Sequence, residues 1–110
     1  MAVAHLQLRT PWVRSLKAKR ALVVPVVQGL RRRYPLAVAR VAGQDAYDWE
    51  RLALVSVGTD PDALRGLMEA AERFVLAGGI ELDWHRVDIE AWDDDDDERA
   101  ARTEPSERRV

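Results

Sequence analysis

Six basic side chains near the two ends of one predicted helix are the residues of this sequence best suited to bind another molecule. They are Lys17, Lys19, Arg20, Arg31, Arg32 and Arg33. Cations at these positions can contact several RNA backbone phosphates without reading the base sequence. The first three stand at a helix N-terminus, where free N–H groups already attract anions. The alternative is a charged face that only keeps the protein in solution.

The two groups of cations differ in their relation to the helix dipole. Arg31, Arg32 and Arg33 complement the partial negative charge at the C-terminal end of a helix, which is sufficient reason for their presence. Lys17, Lys19 and Arg20 oppose the partial positive charge at the N-terminal end and need some other reason to be there. We therefore favour residues 17–20 as the main contact.

Residue types that carry enzymatic chemistry are present but are not in a catalytic pattern. His5 and His85 fall on different predicted strands and have no second histidine at metal-binding or catalytic spacing. Ser15 and Ser56 have no base nearby in the sequence, and the Gly78-Gly79 pair lacks the phosphate-loop pattern. We expect no enzyme, no cofactor and no small-molecule substrate.

The acidic run from Asp93 to Glu98 could gather Mg²⁺ or Ca²⁺, because both ions prefer oxygen ligands. A site of that kind requires ligands fixed in position, and this run has no glycine turn to fix them. We expect a solvated acidic segment and no metal site.

Charge is distributed in blocks along the chain. Residues 1–44 contain nine basic residues and no acidic residue, although the whole chain has a net charge of −2. Residues 93–110 contain one valine and no other sizeable apolar side chain, so burial cannot offset the entropy lost on ordering. This predicts a folded domain over residues 1–92 and a disordered acidic tail over residues 93–110.

The composition fits one small globular domain in a reducing compartment. The chain has 110 residues, of which 47% are hydrophobic, and it has no cysteine, which excludes disulfides and thiolate-bound metals. The longest apolar run, Ala21 to Val27, is far shorter than the ~20 residues that span a bilayer. The first residues lack the pattern of a signal peptide. We expect a cytoplasmic protein without a membrane partner.

Hydrophobic periodicity, together with capping residues, prolines and glycines, predicts six helices and strands that would position the candidate residues. Residues 3–9 alternate like a half-buried strand, and a helix capped by Ser15 follows to about Arg33. Pro25 lies inside that helix and predicts either a kink or a late start. Strands are expected over 36–42 and 49–57, and a second helix follows the Asp60-Pro61 start signal and ends at Gly78-Gly79.

The last predicted strand runs from Ile80 to about Trp92. Its apolar residues change parity between Trp84 and Val87, so we expect a bulge near His85 and Arg86. The resulting order, β-α-β-β-α-β, predicts an α+β ferredoxin-like sandwich, with an antiparallel four-stranded sheet and both helices on one face.

The string Ser15-Leu16-Lys17-Ala18-Lys19-Arg20, placed after a first strand, resembles the S-L-K-x-K-R signature of the YlxP-like family. These are small bacterial proteins with a domain of unknown function. The similarity covers roughly residues 1–92, and the family's Ala-Glu-Val triplet is here Ala39-Arg40-Val41. The resemblance implies a ferredoxin-like fold and a gene that often lies beside those for a translation initiation factor and ribosome-binding factor A. It implies no catalytic residue.

Two functions follow as expectations. The first is a non-catalytic module that binds structured RNA, or a ribosomal subunit, through the basic first helix. The second is a protein-interaction module that acts as a homo-oligomer. Base stacking of the kind seen in RNA-recognition domains is not expected, because the first strand has no aromatic residue, and we assign Trp84 and Trp92 to the core or to a dimer interface. The acidic tail could also compete with nucleic acid for the basic helix.

Overall fold

The computed structural model describes residues 1–90, and these form a two-layer α+β domain. The segment predicted as an acidic tail, residues 93–110, and Trp92 lie outside the described residues. The order of the elements is the predicted β-α-β-β-α-β. The elements are β1 (Ala2–Arg9), α1 (Leu16–Arg33), β2 (Ala37–Ala42), β3 (Trp49–Ser56), α2 (Pro61–Ala77) and β4 (Glu81–Ile89).

The four strands form one antiparallel sheet in the order β2-β3-β1-β4. This order arises because each helix crosses back over the sheet, so that β1 pairs with β3 and with β4. The fold is the ferredoxin-like sandwich that the sequence predicts. As the apolar run in residues 52–57 indicates, β3 is a central strand.

Strict alternation along β1 and β3 gives the sheet one buried and one open face. Ala2, Ala4, Leu6 and Leu8 are buried, while the residues between them are half-buried. Both helices contribute side chains to the same core. Those side chains are Val23, Val26, Val27 and Leu30 from α1 and Leu64, Met68, Ala71 and Val75 from α2.

The predicted capping residues begin both helices. The Ser15 hydroxyl accepts a hydrogen bond from the Ala18 amide at 3.0 Å, and Asp60 Oδ1 accepts one from the Asp62 amide at 3.0 Å. Helix α1 is continuous through Pro25, so the late start that this proline allowed is wrong. The proline is tolerated because its side of the helix faces solvent.

The bulge in β4 lies earlier than predicted, and this changes the position of a tryptophan. Gln7 pairs with Trp84 and Leu8 pairs with Leu82, which leaves Asp83 as the extra residue. Leu82 therefore shares the core face with Val87 and Ile89, whereas Trp84 points to the open face. The prediction of a bulge near His85 and Arg86 is therefore wrong.

Within residues 1–90, neither helix combines the length and the apolar character needed to cross a membrane.

Candidate nucleic-acid interface

Four of the six predicted cations lie on one exposed face of α1. Lys17 and Arg31 are separated by 14 residues, or nearly four helical turns, so they point in similar directions about 21 Å apart. Arg20 and Arg32 flank them on the same side of the helix, and all four side chains are exposed. We call these four residues the basic face. No acidic residue occurs anywhere in α1.

Two of the three arginines at the C-terminal end of α1 are held by neighbouring elements. Arg31 donates a hydrogen bond from Nη2 to the Val38 carbonyl of β2 at 2.8 Å. The guanidinium of Arg33 lies 5.1 Å from the ring centroid of Phe74 in α2, which is a cation–π distance. Both side chains still expose donors to solvent. This end of the helix therefore presents a fixed cluster of positive charge.

Lys19 differs from the other predicted site residues because it is buried. Its side chain is 1% exposed, and its ammonium lies 3.2 Å from Glu50 Oε1. It also donates hydrogen bonds to three backbone carbonyls, those of Gly43 at 2.6 Å, of Ala46, and of Trp49 at 2.9 Å. With its donors occupied inside the protein, Lys19 is not available to a phosphate and does not belong to the basic face.

The carboxylate that balances Lys19 comes from the buried face of β3. Glu50 is fully buried and also accepts two hydrogen bonds from Arg40, from Nε to Oε2 and from Nη2 to Oε1. These bonds and the charge of Glu50 raise the pKa of Arg40 above its usual value, so the guanidinium stays charged. Lys19, Arg40 and Glu50 form what we call the buried charge cluster.

The buried charge cluster fixes the start of α1 against the β2–β3 loop. Gly43 in that loop has a φ of +79°, and a Cβ there would lie 2.7 Å from the ring of Trp49. The carbonyls that receive Lys19 are thereby held close to the helix. Lys19, which opposes the helix dipole, thus has a structural reason for its position. Lys17 and Arg20 remain as the solvent-facing cations of this end of α1.

The open face of the sheet contains an aromatic cluster that the sequence did not predict. The guanidinium carbon of Arg51 lies 5.2 Å from the ring centroid of Trp84 and 5.9 Å from that of Trp49. Arg51 also donates to the side-chain oxygen of Gln7 at 2.9 Å. Trp84 remains 41% exposed. The assignment of Trp84 to the core is therefore wrong, while a place in an interface stays a prediction.

The two histidines lie on the adjacent strands β1 and β4 but point to opposite faces of the sheet. His5 is on the open face, opposite Ala53 and Arg86. His85 is on the helix side of the sheet, and its Nδ1 lies 2.6 Å from Glu72 of α2. This contact joins residues of two separate elements, so spacing along the chain could not reveal it. Among residues 1–90, no three His, Asp or Glu side chains are grouped so that they could hold a metal ion.

Comparison with known families gives one match. Residues 1–89 match the family model described as "Protein of unknown function (DUF503)". No curated protein matches the chain. The family match agrees with the part of the sequence resemblance that concerned a domain of unknown function, and the YlxP-like assignment itself stays a prediction.

Proposed function

The chain belongs to the DUF503 family, and we propose that it is a non-catalytic, cytoplasmic module that binds structured RNA through the basic face of α1. The observation that carries this proposal is a row of four exposed cations on a helix that contains no acidic residue. The ribosomal subunits and their precursors are the first RNAs to test, because the YlxP-like resemblance implies genes of the translation machinery as neighbours.

The geometry of the basic face suits a phosphate backbone. Lys17 and Arg20 at one end and Arg31 and Arg32 at the other can contact phosphates about 21 Å apart. Such contacts position a protein on RNA without reading bases, which fits a helix that contains no aromatic residue. Within residues 1–90, none of the four cations forms an ion pair with an acidic side chain.

The two ends of α1 are fixed before any RNA arrives. The Ser15 cap and the buried charge cluster hold the first turn, and the Arg31 hydrogen bond to Val38 holds the last. A helix that is fixed at both ends loses little backbone freedom on binding, which favours affinity. The contribution of Lys19 is therefore to position the helix, and the phosphate contacts belong to its neighbours.

A co-sedimentation experiment with purified ribosomal subunits tests the proposal. The full chain is compared with a variant that carries Lys17→Ala, Arg20→Ala, Arg31→Ala and Arg32→Ala. We expect saturable binding of the wild type to one subunit near physiological salt, and at least tenfold weaker binding of the variant. Circular dichroism establishes that the variant is folded.

A matched control uses the two exposed arginines of α2. The double variant Arg65→Ala and Arg73→Ala removes the same charge as Lys17→Ala and Arg20→Ala, but from a different helix. Equal loss of binding in the two double variants would show a general charge effect and would refute the assignment of the site to α1.

A homo-oligomer with no nucleic-acid role is the second candidate function. The exposed Trp84 favours it, because a large aromatic side chain on the open sheet face, beside Gln7 and Arg51, gives a surface on which a second copy could pack. Sedimentation equilibrium of the wild type and of Trp84→Ala tests this idea. A wild-type dimer that dissociates in the variant supports it, and a monomer at all concentrations contradicts it.

A further inference from the structure

The end of β4 lies at the same end of the molecule as the last turn of α1. Glu90 and Met1 exchange two backbone hydrogen bonds, at 2.9 and 3.0 Å. Ala2, the next residue of β1, pairs with Ser56 of β3. The Ser56 hydroxyl donates to the Pro35 carbonyl at 2.7 Å, two residues after α1 ends. A short path of direct contacts therefore connects residue 90 to the arginines of α1.

The acidic run begins close to this point in the sequence. Two strand spacings and the Ser56–Pro35 contact place Arg32 about 20 Å from Glu90. Asp93 is three residues and Glu98 eight residues beyond Glu90. An extended chain spans at most about 3.3 Å per residue, so the later acids of the run can reach as far as about 26 Å. That reach includes Arg31, Arg32 and Arg33.

The opposite end of the basic face is much harder for the acidic run to reach. Lys17 lies about 22 Å further along the axis of α1 than Arg32. Only the last acid, on a fully extended connection, could approach it, and full extension is entropically unfavourable. The fold therefore directs the acidic run to one end of the basic face.

The surface at that end is complementary in charge. Arg31, Arg32 and Arg33 are exposed, and within residues 1–90 none of them has an acidic partner. The run Asp93 to Glu98 supplies six negative charges on the same chain. A tethered partner has a high effective concentration, on the order of millimolar for a short flexible connection. Weak ion pairs are then sufficient for occupancy at low salt.

We propose that the acidic run Asp93–Glu98 docks on the surface formed by Arg31, Arg32 and Arg33 and occupies the places of RNA phosphates there. The contact itself does not depend on RNA binding, whereas its regulatory consequence rests on the proposed function. Lys17 and Arg20 stay accessible in the docked state. An RNA that first engages this accessible end would then have to displace the acidic run to complete its contact.

Paramagnetic relaxation enhancement tests the contact without RNA. The chain has no cysteine, so Ala100→Cys gives a single attachment point for a nitroxide, two residues after Glu98. At low salt we expect strong broadening of the amide resonances of residues 31–34 and little broadening around Lys17 and Arg20. The broadening should disappear at high salt, because exposed ion pairs are screened.

A charge-neutral control separates docking from random proximity. In this variant Asp93 to Asp97 are replaced by asparagine and Glu98 by glutamine, with the label unchanged. Loss of the broadening in the control supports the proposal. The same broadening in the control, equal broadening at both ends of α1, or no broadening at low salt would each overturn it.

The RNA experiment distinguishes the contact from the proposed function. If both are right, the charge-neutral control without the label binds RNA about tenfold more tightly than the wild type at low salt. If the nitroxide reports docking but neither chain binds RNA, the docking stands and the proposed function fails. If both chains bind RNA with equal affinity, the inference of competition is overturned while the proposed function stands.

Discussion

Replacing Lys19 with methionine tests whether the buried charge cluster holds the fold together. Methionine keeps a similar length and removes the ammonium, so the change isolates the charge and its hydrogen bonds. The variant leaves the carbonyls of Gly43, Ala46 and Trp49 without their donor and leaves Glu50 with Arg40 alone.

The size of the effect follows from burial. Glu50 is fully buried and Lys19 is 1% exposed, so water does not compensate the carboxylate as it would at the surface. Removing one partner of a buried pair costs about 3–5 kcal/mol. Because Arg40 remains bound to Glu50, we take the lower end, about 3 kcal/mol. For a domain of this size that corresponds to a fall of about 15 °C in the unfolding midpoint.

Thermal and urea unfolding followed by circular dichroism measure this change. The matched control is Lys17→Met, two residues away on the exposed side of the same turn, which should move the midpoint by less than about 3 °C. The double variant Lys19→Met and Glu50→Gln is compared with the two single variants. Its destabilisation should be at least about 1 kcal/mol smaller than the sum of the two single destabilisations, because both substitutions remove the same interaction. Equal, small shifts in Lys19→Met and Lys17→Met would refute the structural role.

Two further predictions concern the frame that positions the basic face. Ser15→Ala removes the acceptor for the Ala18 amide and should cost about 1 kcal/mol of unfolding free energy in urea titration, and an unchanged urea midpoint would contradict the cap. Gly66→Ala places a methyl group where nothing lies within 4 Å and should stabilise α2 by about 0.5–1 kcal/mol. Gly29→Ala, by contrast, places a Cβ 2.5 Å from the Phe74 ring and should destabilise the protein. Equal shifts in the two alanine variants would contradict the packing of α1 on α2.

Helix and strand positions are predictable from this sequence because its capping residues, prolines and glycines agree with its hydrophobic periodicity. Asp60 and Pro61 begin α2 and Gly78 ends it, as the sequence indicates. The alternation in residues 3–9 identifies the buried face of β1 correctly. These signals are local, so each can be interpreted without knowledge of the rest of the fold.

The burial of Lys19 was missed although the sequence contains a signal for it. Lys19 lies three residues after Leu16 and four before Val23, on the apolar stripe of α1. Glu50 likewise is in phase with Leu52 and Leu54 on the buried face of β3. Opposite charges at two core-facing positions indicate a buried pair, because an unpaired charge would be too costly there. The helix dipole depends on α1 alone, so it gives no sign of the partner charge on β3.

The position of Trp84 could not be derived from the pattern alone. The parity of the apolar residues requires one bulge in β4, but it does not locate the extra residue. A bulge at Asp83 sends Trp84 to the open face, while a bulge two or three residues later would send it to the core. The contact of His85 with Glu72 depends on the packing of α2 against β4 and has no local signature.

The salt dependence of RNA binding by the full chain tests the central claim most directly. Four phosphate contacts from Lys17, Arg20, Arg31 and Arg32 predict that the logarithm of the binding constant falls with the logarithm of salt concentration with a slope of about −3. The double variant Lys17→Ala and Arg20→Ala should reduce that slope by about half, whereas Arg65→Ala and Arg73→Ala should leave it unchanged. A slope that stays the same without Lys17 and Arg20, or that falls equally in both double variants, would contradict an RNA interface on α1.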